Sequence, residues 1–421
     1  MRSVFGLSAY LITVIAILAI TIRSLELYRR IKAGQADPTR SNQRAKRFAL
    51  MAKEVLTHAK MLKFTGSGIA HWFVMLGFFA LSGTLLTAYG QVINPEFALP
   101  LIGHWVVYNL FTESFAWLTG ISIVTLIGIR QVTRITNKGR SSRFYGSGSW
   151  KAYYVEGTIL AIVFFVITLR GLEGALVGYS GNPWDFALSK PAVNAFANLD
   201  KESIENWIVI VASLKIIVSM LWFIVVAANL TMGIAWHRFL APFNIFFKRE
   251  VSEKPTLGAL PEMISNGKVI DFENPKDDDL FGISDAASIS WKGLLDMASC
   301  TECGRCQSQC PAWHTEKPLS PKLLIMAMRD HALAKVGTDA ASATKIVGNA
   351  HENAISLDVL WSCTTCGACV EECPVDIEHV DHIVNMRRFQ VLVESEFPTE
   401  IGNTFRNLEK AGNPWGANRT D

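Results

Sequence analysis

Cysteine is absent from the first 299 residues of this sequence, and all eight cysteines lie in two short stretches near the C-terminal end. No cysteine remains for a disulfide framework, which indicates a reducing compartment. The sequence also lacks a P-loop and a Gly-x-Gly-x-x-Gly turn at a strand–helix junction, so neither an ATP site nor an NAD site is expected. Its N-terminal apolar run has no small-residue cleavage site, which favours a retained membrane helix over a signal peptide.

Charge is scarce as well. Charged residues make up 18% of the chain and hydrophobic residues 50%, and the mean hydropathy is +0.25. A soluble protein of 421 residues would normally carry more charge. The net charge of +3 is too balanced to indicate a nucleic-acid partner.

Five apolar stretches are long enough to cross about 30 Å of hydrocarbon. They cover residues 4–22, 69–93, 105–129, 153–169 and 207–236. The connections after the first and third stretches are rich in Lys and Arg, whereas the connections after the second and fourth are poor in them. The positive-inside rule therefore predicts a multi-pass protein of the cytoplasmic (inner) membrane, with its N-terminus outside and its C-terminal part in the cytoplasm.

Both cysteine stretches follow the C-x2-C-x2-C-x3-C-P pattern that binds [4Fe–4S] cubes. In two-cluster ferredoxins the first three cysteines of such a run bind one cube, and the fourth binds the other. The sequence thus predicts one cluster on Cys300, Cys303, Cys306 and Cys373, and a second on Cys363, Cys366, Cys369 and Cys310. Structural zinc is the alternative, although cysteine pairs rather than quartets ending in Cys-Pro are typical of it.

The remaining organisation follows from these two parts. Residues 1–249 are predicted to form the membrane domain, residues 250–290 a proline-containing acidic linker, and residues 291–421 the cluster domain. Between the two quartets, residues 321–335 have apolar residues at helical spacing, which predicts a helix.

Two histidines are candidates for haem ligands. The predicted topology puts His71 at the cytoplasmic end of the second span and His237 at the cytoplasmic end of the fifth. Two imidazoles at similar depth on different helices are what bis-histidine haem b requires. The alternative is that both are interfacial histidines with a polar edge in water. His104 lies outside without a matching partner, and His58 is a weaker candidate ligand.

Three residues of the Asp, Glu, Lys and Arg types lie within the predicted spans. Glu113 and Lys215 are each about two turns from the outer side and could lie level with each other, as a buried structural pair. The functional alternative is proton handling near a quinone headgroup. Glu156, near the cytoplasmic end of the fourth span, is another candidate proton site.

Four segments resemble a known family. They are residues 69–73 (IAHWF), 139–146 (GRSSRFYG), 240–249 (LAPFNIFFKR) and 300–322 (CTECGRCQSQCPAWHTEKPLSPK). The chain resembles the EtfD-like electron transfer flavoprotein:menaquinone oxidoreductases, which are membrane iron–sulfur proteins related to heterodisulfide reductase. The resemblance implies a mainly α protein, in which a nitrate reductase gamma-like bundle of five transmembrane helices precedes a helical two-cluster ferredoxin domain.

The resemblance also implies a function. Electrons from acyl-CoA dehydrogenases would reach a soluble electron transfer flavoprotein, or another cytoplasmic redox protein, then this membrane protein, and then menaquinone. His71 and His237 lie in matching segments, which supports their assignment to one haem b. Family members usually continue into cysteine-rich CCG modules. This sequence contains none, so we expect such modules on another subunit or in a missing C-terminal region.

Two other functions are compatible with the sequence. The first is a quinol-oxidising subunit that feeds a cytoplasmic reductase of heterodisulfide or sulfur metabolism. The second is a membrane anchor and electron conduit without a quinone site of its own.

Overall fold

The computed structural model describes residues 2–178, 184–252, 257–341, 344–349 and 352–418. The chain divides into two compact units. Unit 1 consists of Met1–Leu27 and Glu54–Trp236, and unit 2 consists of Tyr28–Lys53 and His237–Asp421. This division differs from the three parts read from the sequence, because unit 2 includes the segment that follows the first apolar helix. The three-part division stays a prediction.

Helices dominate both units. In chain order, the α-helices of the described residues are α1 (Arg2–Lys32), α2 (Arg44–Thr57), α3 (Ala59–Leu62), α4 (Thr65–Ala80), α5 (Ser82–Ile93), α6 (Val106–Thr133), α7 (Ile135–Lys138), α8 (Ser149–Val177), α9 (Lys190–Phe196), α10 (Lys201–Ala228), α11 (Gly233–Phe246), α12 (Trp291–Ser299), α13 (Arg305–Ser308), α14 (Pro311–His314), α15 (Pro321–Lys335), α16 (Leu357–Trp361), α17 (Ala368–Glu372), α18 (His379–Leu392) and α19 (Thr399–Ala411). The strands are β1 (Ile264–Ser265), β2 (Lys268–Val269), β3 (Val347–Gly348) and β4 (Ile355–Ser356). They form two small sheets, with β1 antiparallel to β2 and β3 parallel to β4.

Five helical stretches of the described residues are long and apolar enough to cross a membrane, by length and composition alone. They are Val4–Lys32, Thr65–Ile93, Val106–Ser141, Ser149–Val177 and Lys201–Ala228. A helix suits a bilayer because it satisfies its own backbone hydrogen bonds. Together with the helical cysteine-containing region, these stretches confirm the predicted mainly α fold class.

The core of unit 1 is built around α10. Its buried residues Ile208, Ala212 and Ile216 pack in one cluster with Leu169 and Leu172 of α8. By contrast, α1 leaves large apolar side chains exposed along most of its length. A long apolar helical stretch with little protein cover fits a lipid environment better than water.

Two of the predicted spans differ from the structure in a way that matters for the site, because the second is interrupted and the fifth ends earlier than predicted. The second is interrupted at Leu81, where the Ser82 and Thr84 hydroxyls bond to the carbonyls of Phe78 and Leu81. Such bonds bend helices. The fifth ends at Ala228, because Asn229 leaves the helical conformation, and α11 then begins at Gly233. His237 therefore lies in a separate helix, and its prediction at the end of the fifth span was wrong.

Unit 2 contains the cysteine loops. The helix predicted over residues 321–335 is confirmed as α15, whose first turn is capped by the Ser320 hydroxyl accepting from the Leu323 amide at 3.2 Å. The segment after α1 joins this unit through backbone bonds, in which Gln35 donates to Ile289 and accepts from Trp291. Gly34 is required there, because a Cβ on it would lie 2.6 Å from the Trp291 nitrogen.

Candidate functional site

The two cysteine loops have the same backbone conformation. In each loop the residue before the second cysteine adopts positive φ, at 56° for Glu302 and 54° for Thr365. The glycine after the second cysteine also does so, at 71° for Gly304 and 78° for Gly367. Positive φ is uncommon for residues with a side chain. Its recurrence shows that both loops are shaped to curl their first three cysteines around a common point.

The fourth cysteine of each loop comes just after a short helix. Cys310 follows α13 and immediately precedes α14, whose first residue is Pro311. Cys373 follows α17 in the same way and precedes Pro374. Proline is tolerated at the first helical position but cannot continue a preceding helix. The Cys-Pro pair therefore turns the chain, and with it the fourth thiol, away from its own loop.

The structure gathers four cysteines around one cavity. These are Cys363, Cys366 and Cys369 from the second loop and Cys310 from the first. The other lining residues are mostly apolar. A cavity bounded by four thiols is the donor set that an iron–sulfur cube needs.

The other four cysteines also lie near one another. The Cys306 thiol lies close enough to Cys303, Cys373 and Cys300 for its charge to interact with theirs. Its interaction with Cys369 is weaker. Each set thus takes three cysteines from one loop and the fourth from the other. We call them set 1 (Cys300, Cys303, Cys306 and Cys373) and set 2 (Cys310, Cys363, Cys366 and Cys369).

Burial makes these thiols reluctant to ionise in the absence of positive charge. It raises the pKa of Cys300 to about 11 and that of Cys369 to about 12. It also raises the pKa of Cys306 and Cys373 well above the usual range. Iron would supply the compensating charge, because a metal ligand must be a thiolate.

Backbone amides add to the match with a cluster. The Thr365 amide donates to the Cys363 sulfur at 3.3 Å, and the Ile377 amide donates to the Cys373 sulfur at 3.4 Å. Hydrogen bonds to sulfur stabilise thiolate ligands and tune cluster potentials. Among the described residues, no three His, Cys, Asp or Glu side chains lie close enough to share a single metal ion. A cube does not need that closeness, since each thiolate binds a different iron atom.

The candidate haem histidines lie in different units, His71 in unit 1 and His237 in unit 2. Within unit 1, the His71 Nδ1 and His58 Nε2 atoms are 3.1 Å apart, and the two rings stack with centroids 5.3 Å apart. His58 Nδ1 lies 2.9 Å from the Val55 carbonyl oxygen. That bond requires a proton on His58 Nδ1, so His58 Nε2 of the neutral ring accepts from His71 Nδ1. Burial lowers the pKa of His58, which favours this neutral form.

Glu113 and Lys215 do not form the pair that the sequence suggested. The Glu113 carboxylate binds Arg170, with Nε to Oε1 at 3.1 Å, and accepts from the Leu188 amide at 2.9 Å. The Lys215 ammonium donates to the carbonyl and hydroxyl oxygens of Thr84 at 2.8 and 2.7 Å. The reason is that α8 continues past Arg170 to Val177, which places this arginine inside the helical unit as the counter-charge of Glu113.

Arg170 belongs to a larger polar network. Arg170 Nη1 also lies 2.6 Å from Glu173 Oε2. The Gln91 side-chain amide donates to Glu173 Oε1 at 2.6 Å. Separately, Glu156 pairs with Arg130 at 2.7 Å. The sequence carried a signal for the first network, because Arg170 and Glu173 are three residues apart on an apolar helix.

A second buried network lies in unit 2, and sequence reasoning missed it. Asp296 is fully buried and accepts from Lys292 Nζ at 2.7 Å and from Asn244 Nδ2 at 2.8 Å. His382 Nε2 lies 3.1 Å from its other oxygen. Burial alone would raise the pKa of Asp296, but Lys292 and His382 hold it well below its usual range. The network joins α11, α12 and α18.

Comparison with known proteins agrees with the cysteine pattern. Residues 299–377 match the 4Fe-4S dicluster domain family. The chain is similar to the EtfAB:quinone oxidoreductase of Syntrophomonas wolfei, with 35% identity over 43% of this chain and 26% of the relative. It is 32% identical to a probable membrane-anchored ferredoxin of Chromohalobacter salexigens, over 45% of this chain and 31% of the relative.

A shorter match involves one subunit of the ferredoxin:CoB-CoM heterodisulfide reductase of Methanosarcina mazei. It has 31% identity over 23% of this chain and 48% of the relative. The chain thus spans between about a quarter and a half of the length of these relatives. No solved structure matches the chain. The resemblance to EtfD-like and heterodisulfide reductase-related proteins is confirmed, and the chain is related to membrane iron–sulfur oxidoreductases.

Proposed function

We propose that this chain is the membrane electron-transfer part of a quinone-linked oxidoreductase. It takes electrons from a cytoplasmic redox protein, passes them through two [4Fe–4S] clusters and one haem b, and delivers them to menaquinone. The observation that carries this proposal is the cavity bounded by four cysteines of two loops, in a chain whose described residues include five membrane-length helices. Bound clusters would supply one-electron carriers at these sites.

Set 1 and set 2 are the proposed ligands of the two clusters. Crosswise ligation is supported by the shared loop conformation, the grouping of the sulfur atoms and the amide bonds to sulfur. The chain orients the thiols and supplies a largely apolar cavity.

His71 and His237 are the proposed axial ligands of haem b, and His58 is the residue that orients His71. A ligating imidazole usually donates its other ring N–H to an acceptor, and His58 provides that acceptor for Nδ1 of His71. This arrangement directs His71 to bind iron through Nε2.

Replacing His71 or His237 by alanine should remove the haem, because one imidazole does not hold a bis-histidine haem firmly. His58→Ala should retain it, since His58 bonds to a ligand rather than to iron. A pyridine haemochrome assay on the purified variants measures this. His104→Ala is the matched control. A wild-type protein without haem would refute the haem assignment, and loss of haem in His58→Ala but not in His237→Ala would refute the choice of ligands.

Lys215 is the strongest candidate to handle protons at the quinone. Glu113 is held by Arg170 and by a backbone amide, and Glu156 is held by Arg130, which favours structural roles for both carboxylates. The Lys215 ammonium is bound by neutral oxygens of Thr84. A buried ionisable group in a membrane helix that is not neutralised by its nearest partner indicates a functional site.

The proposed donor is an electron transfer flavoprotein, because the similar Syntrophomonas wolfei protein is an EtfAB:quinone oxidoreductase. Purified protein in lipid nanodiscs should oxidise flavoprotein that has been reduced by an acyl-CoA dehydrogenase and its substrate, and should form menaquinol. Protein with Cys310→Ala should form much less quinol, because set 2 would lack its fourth ligand. If the chain reduces quinone after chemical reduction but not with the flavoprotein, the donor assignment fails and the quinone assignment stands.

The opposite direction is a second candidate, favoured by the match to the heterodisulfide reductase of Methanosarcina mazei. The chain would then oxidise quinol and feed a cytoplasmic reductase. Potentials distinguish the two directions. Cluster and haem potentials below that of menaquinone favour quinone reduction, whereas potentials above it favour quinol oxidation.

We propose the cytoplasmic membrane as the location, with the N-terminus outside and unit 2 in the cytoplasm. The basic residues that follow the first and third apolar helices support this orientation. A separate CCG-containing subunit is the proposed additional partner, as an intermediate between the donor and the clusters.

A further inference from the structure

The exposed face of α2 is apolar. Phe48 is 61% exposed and Leu56 is 63% exposed, and Ala45 and Ala49 are exposed as well. Residues that are three, four or seven positions apart share one face of a helix, so these side chains form one stripe. The opposite face is turned inward, because Arg47 is only 2% exposed. The helix thus reverses the pattern of a helix on a water-soluble protein, with apolar side chains outside and a cation buried.

Cations border this stripe. Arg44, Lys46 and Lys53 are exposed, and Glu54 is the only acidic residue in the sequence of the helix. An apolar stripe bordered by Lys and Arg is typical of helices that lie in the interface of an anionic membrane. In that position the apolar side chains enter the boundary between headgroups and acyl chains, and the cations contact lipid phosphate.

Arg47 joins α2 to α11, which has exposed aromatic side chains of its own. The Arg47 Nη1 atom donates to the carbonyl oxygens of Phe246 at 3.1 Å and Lys248 at 2.5 Å, at the end of α11. On α11, Phe239 and Phe243 lie one turn apart and are 36% and 59% exposed. One buried, hydrogen-bonded cation therefore connects two helices that both present phenylalanine to their surroundings.

Both helices follow membrane-length helices closely in the chain. Helix α1 ends at Lys32 and α2 begins at Arg44, whereas α10 ends at Ala228 and α11 begins at Gly233. A segment tethered so near to a spanning helix meets the bilayer surface at a high effective concentration, so weak lipid contacts suffice to hold it there. This tether and the bordering cations favour lipid over a protein as the occupant of the exposed faces.

The buried side of α11 is bonded to the chain near a cysteine of set 1. Asn244 is fully buried, and its Nδ2 atom donates to the Val375 carbonyl at 2.7 Å and to Asp296 at 2.8 Å. Val375 comes two residues after Cys373. Lipid contact through the exposed side of α11 would therefore restrain the depth of this loop at the bilayer surface.

We propose that α2 and α11 form a lipid-binding surface, on which Phe48 and Phe243 enter the headgroup boundary of an anionic bilayer and Arg44 and Lys46 bind lipid phosphate. This inference goes beyond the proposed function, since it depends on neither the clusters, the haem nor the quinone. It shares with the proposed function only the membrane location of the chain.

The test is photo-crosslinking of the full-length protein in nanodiscs that contain phosphatidylglycerol and phosphatidylcholine. Phe48→p-benzoylphenylalanine and Phe243→p-benzoylphenylalanine each place a photoreactive ketone at an exposed position of the proposed surface. Irradiation should attach lipid at both positions, and mass spectrometry should find a lipid mass on the corresponding peptides. Phe272→p-benzoylphenylalanine is the matched control, because Phe272 is 58% exposed in the same unit but stands in an acidic segment. It should yield no lipid adduct.

A reference position on α1 separates this inference from the membrane location. Leu11 is exposed on that membrane-length helix, so Leu11→p-benzoylphenylalanine should also attach lipid. Lipid at Leu11 but not at both Phe48 and Phe243 would overturn the inference and leave the location standing. Polypeptide adducts in place of lipid at Phe48 and Phe243 would overturn it in favour of a protein partner or a second copy, and lipid at Phe272 would overturn it as unselective. No lipid adduct at any position would defeat the location and the inference together.

The role of charge is tested in the Phe48→p-benzoylphenylalanine protein. Lys46→Gln should lower the ratio of phosphatidylglycerol to phosphatidylcholine adducts about fivefold, the effect expected for one cation near an anionic surface. Lys268→Gln removes an exposed lysine of β2 and should leave the ratio unchanged. An unchanged ratio in Lys46→Gln would contradict the assignment of this lysine to lipid phosphate.

Discussion

Replacing Cys310 with alanine is expected to remove the cluster of the distant loop, formed by Cys363, Cys366 and Cys369, and to leave the cluster of its own loop. Iron and acid-labile sulfide should fall from about eight to about four per chain, as the loss of one of two cubes requires. The physical reason is that Cys310 lines the same cavity as the three cysteines of the second loop. A thiol missing from one corner leaves an iron without its protein ligand.

The reciprocal variant sharpens this test. Cys373→Ala should remove the cluster at Cys300, Cys303 and Cys306, and the remaining spectrum should differ from that of Cys310→Ala. Ser362→Ala is the control, since Ser362 is adjacent to Cys363 and its hydroxyl donates to the Asp358 carbonyl. If each variant lost the cluster of its own loop, ligation would be local and the crosswise assignment would be wrong.

Replacing Lys292 with methionine should destabilise unit 2 by about 3–5 kcal/mol, the usual cost of breaking a buried ion pair by removing one partner. Lys292 and Asp296 are both 1% exposed at their side chains and 2.7 Å apart. The variant leaves a desolvated carboxylate whose remaining side-chain partners among the described residues are Asn244 and His382. Chemical denaturation of the purified protein, followed by the cluster absorbance, measures the change in the free energy of unfolding.

Two further variants make that result interpretable. Lys345→Met breaks a pair with Glu394 in which the lysine side chain is 54% exposed, and it should cost ~0–1 kcal/mol. The double variant Lys292→Met/Asp296→Asn should recover part of the loss, because an amide needs no counter-charge. A loss below about 1 kcal/mol in Lys292→Met would mean that the charge of Lys292 does not stabilise this network.

Features that depend on spacing along the chain could be predicted from the sequence. The cysteine quartets predicted two similar loops. In the structure, both loops have left-handed residues at the same two positions, directly before and after the second cysteine. The apolar stretches predicted five membrane-length helices, and periodicity predicted α15. In each case the determining contacts are local, because they lie within one helix or one loop.

Features that depend on partners distant in sequence could not be predicted in this way. Glu113 binds Arg170, which is 57 residues away, and composition gave no means of choosing Arg170 over Lys215. Asp296 gathers Asn244, Lys292 and His382 only after three helices have packed. The predicted position of His237 was wrong for a different reason. Asn229 ends the fifth helix within an otherwise apolar stretch, so His237 lies beyond the end of that helix.

The most direct test of the central claim is electron transfer from the reduced protein to quinone. The purified protein is reduced with dithionite, freed of excess reductant, and mixed anaerobically with a soluble menaquinone analogue while the cluster and haem absorbance is followed. The account predicts that the clusters are reoxidised and that one quinol forms for every two electrons lost. Clusters that stay reduced with the quinone, but are oxidised by a small artificial acceptor, would contradict it and would identify the chain as a conduit.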